Sequence, residues 1–201
     1  SKVFSKDLMK KYGIPTAGYE VFADPAAALE YIKAQGKYPA VIKADGLALG
    51  KGVVIAQDEE EAKAALHPIM EDKIFGESGA HVVVEKKIKG REIQIAVLGD
   101  TYLPAVEIIP RGEYFDYVSK YQKGGAQEIC PAPITEEEWH QIGEMALKLH
   151  RGLGLSVYSR SDFLLDEEGK AWCLEINTLP GMTPTSLVPQ EAAQVGLSYA
   201  D

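Results

Sequence analysis

Between Arg160 and Gly181, polar and apolar residues alternate in two runs on either side of Asp166-Glu167-Glu168-Gly169. Alternation with a period of two marks a half-buried strand and the tetrad is turn chemistry, so the stretch predicts a β-hairpin. Setting Leu165 opposite Lys170 puts Asp162 across from Cys173 and Arg160 across from Glu175. Successive side chains point to opposite faces. That register gathers Arg160, Asp162, Leu164, Ala171, Cys173, Glu175 and Asn177 on one face, and leaves Phe163, Leu165, Trp172, Leu174 and Ile176 for the core.

The rest of the chain shows shorter signals. Residues 3–12 predict a helix with Phe4, Leu8 and Met9 inward and Gly13 at its end. Asp24-Pro25 reads as a cap followed by proline at the first helical position, which predicts a helix from Pro25 to Gln35 stopped by Gly36. Strands are expected at Pro39–Ala44, Val53–Ala56, His81–Lys86, Glu92–Leu98 and Tyr102–Pro110. Two capping boxes, at Asp58–Glu61 and Thr135–Glu138, open helices running to about Met70 and to Gly152. In the second, Trp139, Ile142, Ala146 and Leu149 form the buried stripe. Phe75–Gly79 reads as a loop. Hairpins interleaved with helices give an α+β class with two lobes, residues 1–85 and 86–201.

With 46% hydrophobic residues, 201 positions suffice for a sizeable core. No apolar run approaches the ~20 residues of a membrane span, and the first residues lack the apolar centre of a signal peptide, so a cytoplasmic location is expected. Cys130 and Cys173 stand in apolar contexts and read as buried free thiols. The net charge of -9 falls entirely in the second part: residues 1–92 hold 14 basic and 14 acidic side chains, residues 93–201 hold 7 and 16. No basic stripe suits nucleic acid. An acidic part joined to a lysine-rich one suits a metal–phosphate ligand.

Asp162, Glu175 and Asn177 are three oxygen donors on one strand face, a set that suits a hard cation such as Mg²⁺, with Mn²⁺ as an alternative. The plainer reading is an ion pair of Arg160 with Glu175 across the hairpin. Gly46-Leu-Ala-Leu-Gly50-Lys51-Gly52 lies between two strands and has no Ser or Thr after its lysine, which excludes a Walker loop. A glycine-rich hairpin can still lay backbone N–H groups on phosphates, with Lys43 and Lys51 as point charges; the plainer reading is an ordinary loop. Glu85, Lys86 and Glu92 stand at strand ends, where they are either solvated charges or nucleotide contacts. Arg111–Ile134 has no periodicity yet holds Tyr114, Phe115, Tyr117, Lys120, Tyr121 and Gly124-Gly125, and its aromatics point to an active-site lid rather than to disorder. His140 and His150 sit in the first and last turns of one helix, where a cation at the end suits the dipole; neither is assigned a role.

These stretches resemble the ATP-grasp enzymes. GIPTA, VIKADGLALGKGVVIA and FGESGAHVVVE, within about residues 5–85, resemble glycinamide ribonucleotide synthetase; EKKIKGREIQIAVLGD, FDYVSKY, CPAPI, SRSDFLLD and LEINTLPGMTPTSLVP, from about 85 onward, resemble D-alanine:D-alanine ligase. A mixture of this kind implies an engineered chimera or a reconstructed ancestor. The resemblance implies a two-lobed fold with ATP held between two mainly antiparallel sheets. It also implies that Lys43 and Lys86 meet the nucleotide, Glu85 and Ile88 the adenine, and Glu92 the ribose. Asp162, Glu175 and Asn177 would hold Mg²⁺, Arg160 the transferring phosphoryl oxygens and Lys120 the γ-phosphate. Tyr121 would belong to the lid, and Gly181, Ser186 and Leu187 to an amino-acid site.

The function so implied is ATP-dependent joining of a carboxylate to an amine through an acyl phosphate. Both families place a further domain ahead of the first helix, so ligation is expected to be impaired, with slow ATP hydrolysis or nucleotide binding alone as the alternative. A kinase-like phosphotransferase is disfavoured because no HRD-type catalytic loop is present.

Overall fold

The structure is a computed structural model describing residues 1–46, 52–110 and 126–200. It divides into two compact units, residues 1–7 with 17–88 and residues 8–16 with 89–201.

The first unit is a four-stranded antiparallel sheet in the order β1 (Tyr19–Phe22), β4 (Val82–Lys86), β2 (Ala40–Ala44), β3 (Val53–Ala56). Helix α2 (Pro25–Gln35) begins where the Asp24 carboxylate accepts the Ala27 N–H and ends on Gly36, whose left-handed conformation turns the chain. Helix α3 (Glu59–Leu66) is capped by Asp58 and stops short of Met70. Pro68 lacks the N–H that would continue the ladder, and the chain passes through a π-helical turn, His67–Glu71. Phe75–Gly79, expected as a loop, contains a 3-10 turn at Gly76–Gly79. Ala28, Ile32, Ile42, Leu66, Ile69 and Val84 are the centre of this unit's core.

The second unit holds a larger antiparallel sheet, β10 (Ala171–Asn177), β9 (Tyr158–Leu165), β5 (Arg91–Leu98), β7 (Val106–Pro110) and β8 (Ala126–Ile129), with the two-residue β6 (Thr101–Tyr102) beside β5. The strand expected over Tyr102–Pro110 is therefore broken at Leu103-Pro104-Ala105, and part of the expected lid is strand β8. Helix α4 (Glu136–Gly152) starts with a reciprocal box in which Thr135 and Glu138 cap each other's backbone, worth about 1 kcal/mol. Its Ile142, Ala146 and Leu149 pack on Ile93, Ile95 and Phe163 of the sheet. Helix α5 (Leu187–Gln194) covers part of the other face through Val188 and Ala96.

Helix α1 (Lys2–Lys11) contributes Lys2–Asp7 to the first unit and Leu8–Lys11 to the second. Leu8 and Met9 are buried as expected, but Phe4 is 57% exposed and the inward residue of that turn is Lys6, 1% exposed. Cys130 is only half-buried, while Cys173 is fully buried; both are free thiols. Among the described residues no helix is long and apolar enough to cross a membrane.

Candidate functional site

The β9–β10 hairpin closes differently from the register expected. Gly169 N donates to Asp166 O at 3.1 Å and Asp166 N to Lys170 O at 3.0 Å, with Gly169 at φ 75°. This is a three-residue loop whose last residue is left-handed, a conformation that glycine alone adopts freely. Leu165 therefore faces Ala171, not Lys170, and Phe163 faces Cys173. Ala171 and Cys173 are core residues, and Trp172 belongs to the opposite face with Leu164, the reverse of the assignment made from alternation. The pairing then shifts again between Cys173 and Glu175. Leu174 is an extra residue, a β-bulge, and beyond it Asp162 faces Glu175 while Arg160 faces Asn177. Two departures thus offset one another, and the four polar residues still share a face, with changed partners.

On that face Arg160 grips Asp162 with both arms of its guanidinium, Nε donating to Oδ1 at 2.8 Å and Nη2 to Oδ2 at 3.1 Å. Asn177 Nδ2 adds a weaker bond to Asp162 Oδ2 at 3.3 Å. Burial works against the guanidinium's charge, but the Asp162 carboxylate, helped by Glu175, outweighs it and raises the pKa further. The expected pair of Arg160 with Glu175 across the strands is replaced by this same-strand pair. Among the described residues nothing hydrogen-bonds the Glu175 carboxylate, and no three His, Cys, Asp or Glu side chains cluster as a metal site. The donor set is two carboxylates and an amide, all oxygen ligands. It fits a hard cation once the Asn177 amide presents its oxygen, and the O/N assignment of such an amide is set by its hydrogen bonds.

Two residues here escaped the sequence reading. Gln94 lies opposite Asp162 on β5, is 3% exposed, and donates from Nε2 to Glu92 Oε1 at 2.8 Å. The alternation of Glu92, Gln94 and Ala96 with Ile93, Ile95 and Val97 is the signal that would have found it. Glu191 of α5 is fully buried and accepts the Ala96 N–H at 2.6 Å; Ala96 pairs with Arg160. Burial pushes the Glu191 carboxyl well above the usual range, against the pull of that N–H and of Arg160. Nothing in its sequence context announces it.

Leading into α5, Ser186 Oγ accepts the Thr183 N–H at 3.0 Å and lies 2.8 Å from Thr183 Oγ1. A Cβ on Gly181 would come within 3.2 Å of that hydroxyl, so Gly181 and Ser186 are neighbours, with Leu187 opening the helix. His150 is buried against Ser159, Nδ1 to Oγ 2.8 Å, and burial lowers its pKa, so a charge–dipole account does not apply to it.

In the first unit, Glu85 on β4 and Lys43 on β2 share a sheet face, Lys43 Nζ donating to Glu85 Oε2 at 2.9 Å. Lys6 Nζ lies 3.2 Å from the other oxygen, Oε1. Glu85 is thus not a solvated strand-end charge. Lys86, on the opposite face, is exposed, and Ile88 and Glu92 are half-buried. Lys51 of the glycine stretch and Lys120 and Tyr121 of the expected lid lie outside the described residues.

The family model described as the D-Ala D-Ala ligase C-terminus matches residues 8–201. The chain belongs to this family. A D-alanine–D-alanine ligase of Nitratidesulfovibrio vulgaris is 42% identical over 200 residues, 99% of this chain and 63% of the relative. This chain therefore spans less than two thirds of that relative's length. Among solved structures, a D-alanine–D-alanine ligase from Bacillus anthracis complexed with ATP superimposes with a TM-score of 0.76 at 30% identity, covering 99% of this chain and 62% of that one. VanG D-Ala:D-Ser ligase from Enterococcus faecalis gives 0.81 at 30% identity, covering 99% and 58%. The mixed helix and antiparallel-sheet fold is that of ATP-grasp D-Ala–D-Ala ligases. The expectation of two parental families finds no support, because the D-Ala–D-Ala ligase match takes in the residues before Glu85 as well as those after it.

Proposed function

We propose that this chain is the ATP- and Mg²⁺-binding part of a D-alanine–D-alanine ligase, an enzyme that activates one carboxylate as an acyl phosphate and joins it to an amine. The observation that carries this reading is the Arg160–Asp162 clamp on an oxygen-rich strand face opposite Glu175, within a chain of that family. Asp162, Glu175 and Asn177 would hold Mg²⁺, which supplies positive charge to the polyphosphate when bound. Arg160, held by Asp162 in a fixed orientation, would offer its remaining N–H to the transferring phosphoryl oxygens. Such chemistry is mostly positioning and electrostatics, so a guanidinium that need not reorganise is an advantage.

Lys43 and Lys86 would serve the nucleotide phosphates, Ile88 and the backbone beside Glu85 the adenine, and Glu92 the ribose. Lys51 and Lys120 would add charge, and Tyr121 would close over the reactants as part of a lid. Gly181, Ser186 and Leu187 would meet the second amino acid, with the Ser186 hydroxyl held by Thr183. The two lobes of this reading are residues 1–85 and 86–201, the first carrying the glycine stretch and the second the hairpin. A cytoplasmic setting follows from the same assignment. Since relatives of this fold are named for D-alanine and for D-serine acceptors, the acceptor is the finer point.

The test is incubation with ATP, Mg²⁺ and a panel of D-amino acids, with products read by mass spectrometry. Slow release of ADP is the expected outcome, with any D-alanyl dipeptide in lower yield. ADP without dipeptide reduces the assignment to a nucleotide-hydrolysing module, and an unchanged melting temperature at millimolar ATP and Mg²⁺ would overturn nucleotide binding altogether.

A further inference from the structure

Gln94 sits in the middle of β5, paired with Asp162 of β9 on one side and Val106 of β7 on the other, and is buried. Glutamine is mostly an exposed residue, so its burial calls for a reason. Its Nε2 donates to Glu92 Oε1 at 2.8 Å, while its own Oε1 has no hydrogen-bond partner among the described residues. A carboxylate only accepts, so the amide cannot be turned over to satisfy that oxygen without losing Glu92. A buried acceptor left unpaired costs stability, and an apolar side chain of the same length would leave none. The amide of Gln94 is thus arranged for Glu92 rather than for the core around it.

We propose that Gln94 is a positioning residue that aims Glu92 at the sugar hydroxyls of a ribonucleotide and so sets a preference for ribose over deoxyribose; this rests on the nucleotide reading above. The two side chains stand two residues apart on one face of one strand, where they are neighbours. Glu92 is half-buried, and a glutamate side chain in such a place loses rotamer freedom when a ligand fixes it. Tied at Oε1 to an amide that the sheet itself holds still, its carboxylate keeps one orientation before the ligand arrives, and less freedom is lost on binding. Gln94 is not the only partner of Glu92; its part is direction. Ribose offers two adjacent hydroxyl donors to that carboxylate and deoxyribose one. A hydroxyl bonded to a charged acceptor is worth about tenfold or more in affinity.

The experiment is calorimetric titration of the full chain with ATP, 2′-deoxyATP and 3′-deoxyATP in the presence of Mg²⁺, with melting temperatures measured alongside. The wild type should bind at least one of the deoxy analogues about tenfold or more weakly than ATP. Gln94→Met, of similar length but without the amide, should lose about tenfold in affinity for ATP while binding that analogue as the wild type does, so that the preference closes. Added to Glu92→Gln, the same substitution should change ATP binding no further, because Gln94 acts only through Glu92. A folded Gln94→Met that keeps the wild-type preference overturns the proposal and leaves the nucleotide reading intact. So does equal weakening toward ATP and both analogues, which is what a structural role produces, and so does a failure of both Gln94→Met and Gln94→Leu to fold. A wild type that binds ATP and both analogues alike removes the sugar contact, and the proposal with it. A wild type that binds none of them overturns the nucleotide reading as well.

Discussion

Asp162 stands opposite Glu175 only because Leu174 is an unpaired residue in β10. Had the pairing set at Leu165–Ala171 run on unbroken, Asp162 would face Leu174, and Glu175 would turn toward the core that holds Phe163 and Cys173. Deleting Leu174 removes the bulge but leaves Glu175 as the residue after Cys173, still opposite Asp162, so Mg²⁺-dependent nucleotide hydrolysis should survive the deletion. Leu174→Ala, which keeps the extra residue, should cost less than the ~2–5 kcal/mol of truncating a fully buried leucine and retain activity. Loss of ATP turnover in the deletion variant alone would show that the bulge itself, and not only the pairing of Asp162 with Glu175, positions the site.

Glu175→Gln preserves the shape of the side chain while removing a charge that no described residue neutralises directly. Mg²⁺ should then be needed at about tenfold or higher concentration for nucleotide binding, with stability changed by less than about 1 kcal/mol. Titration of Mg²⁺ against nucleotide affinity checks the first expectation and denaturant unfolding the second.

Glu191 has a pKa raised in the folded state, chiefly by burial, above its ordinary value of 4.5. An acid of this kind binds its proton more tightly when folded. Its stabilising contribution is complete below the unfolded pKa and is lost as the pH rises through the folded one. Glu191→Gln keeps an oxygen for the Ala96 N–H and cannot ionise. The variant should melt higher than the wild type at about pH 8, with the difference vanishing below about pH 4. A wild type as stable as the variant at alkaline pH would mean that Glu191 is ionised and paired with Arg160.

Gly90 precedes β5 where the chain passes the hairpin's first strand. A Cβ there would lie 2.6 Å from the Leu165 carbonyl oxygen and 2.9 Å from its carbon, both backbone atoms in a ladder. Gly90→Ala should cost on the order of 1–3 kcal/mol, visible as a drop of several degrees in melting temperature.

What could be read in the sequence followed how local each feature is. The Asp24 cap, the Gly36 stop and the Thr135–Glu138 box are decided within four residues, and they appear where expected. Phe4 and Lys6 show the opposite case. Apolar spacing pointed Phe4 inward, but Glu85, 79 places along the chain, takes Lys6 instead, and no window over α1 contains that partner. The hairpin was legible as a hairpin. Its register was not, because the choice of a three-residue loop and the bulge at Leu174 depend on how Ala171 and Cys173 pack beneath α4. Glu191 and Gln94 are ordinary in sequence and become conspicuous only through burial. Strands β1 and β8 and helix α5 carry too few periodic positions to stand out from their surroundings.

The bond from Ala96 N to Glu191 gives α5 a signature in solvent exchange. Strand β5 pairs with β7 as far as Gln94 and with β6 from Val97, so on that edge the Ala96 amide finds its acceptor in a helix rather than a strand. Its deuterium uptake should follow the lifting of Leu187–Gln194 from the sheet, while the ladder amides of β9 keep the slower clock of global unfolding. One amide in the middle of β5 would then time the release of the segment that carries Ser186 and Leu187, without any label on that segment.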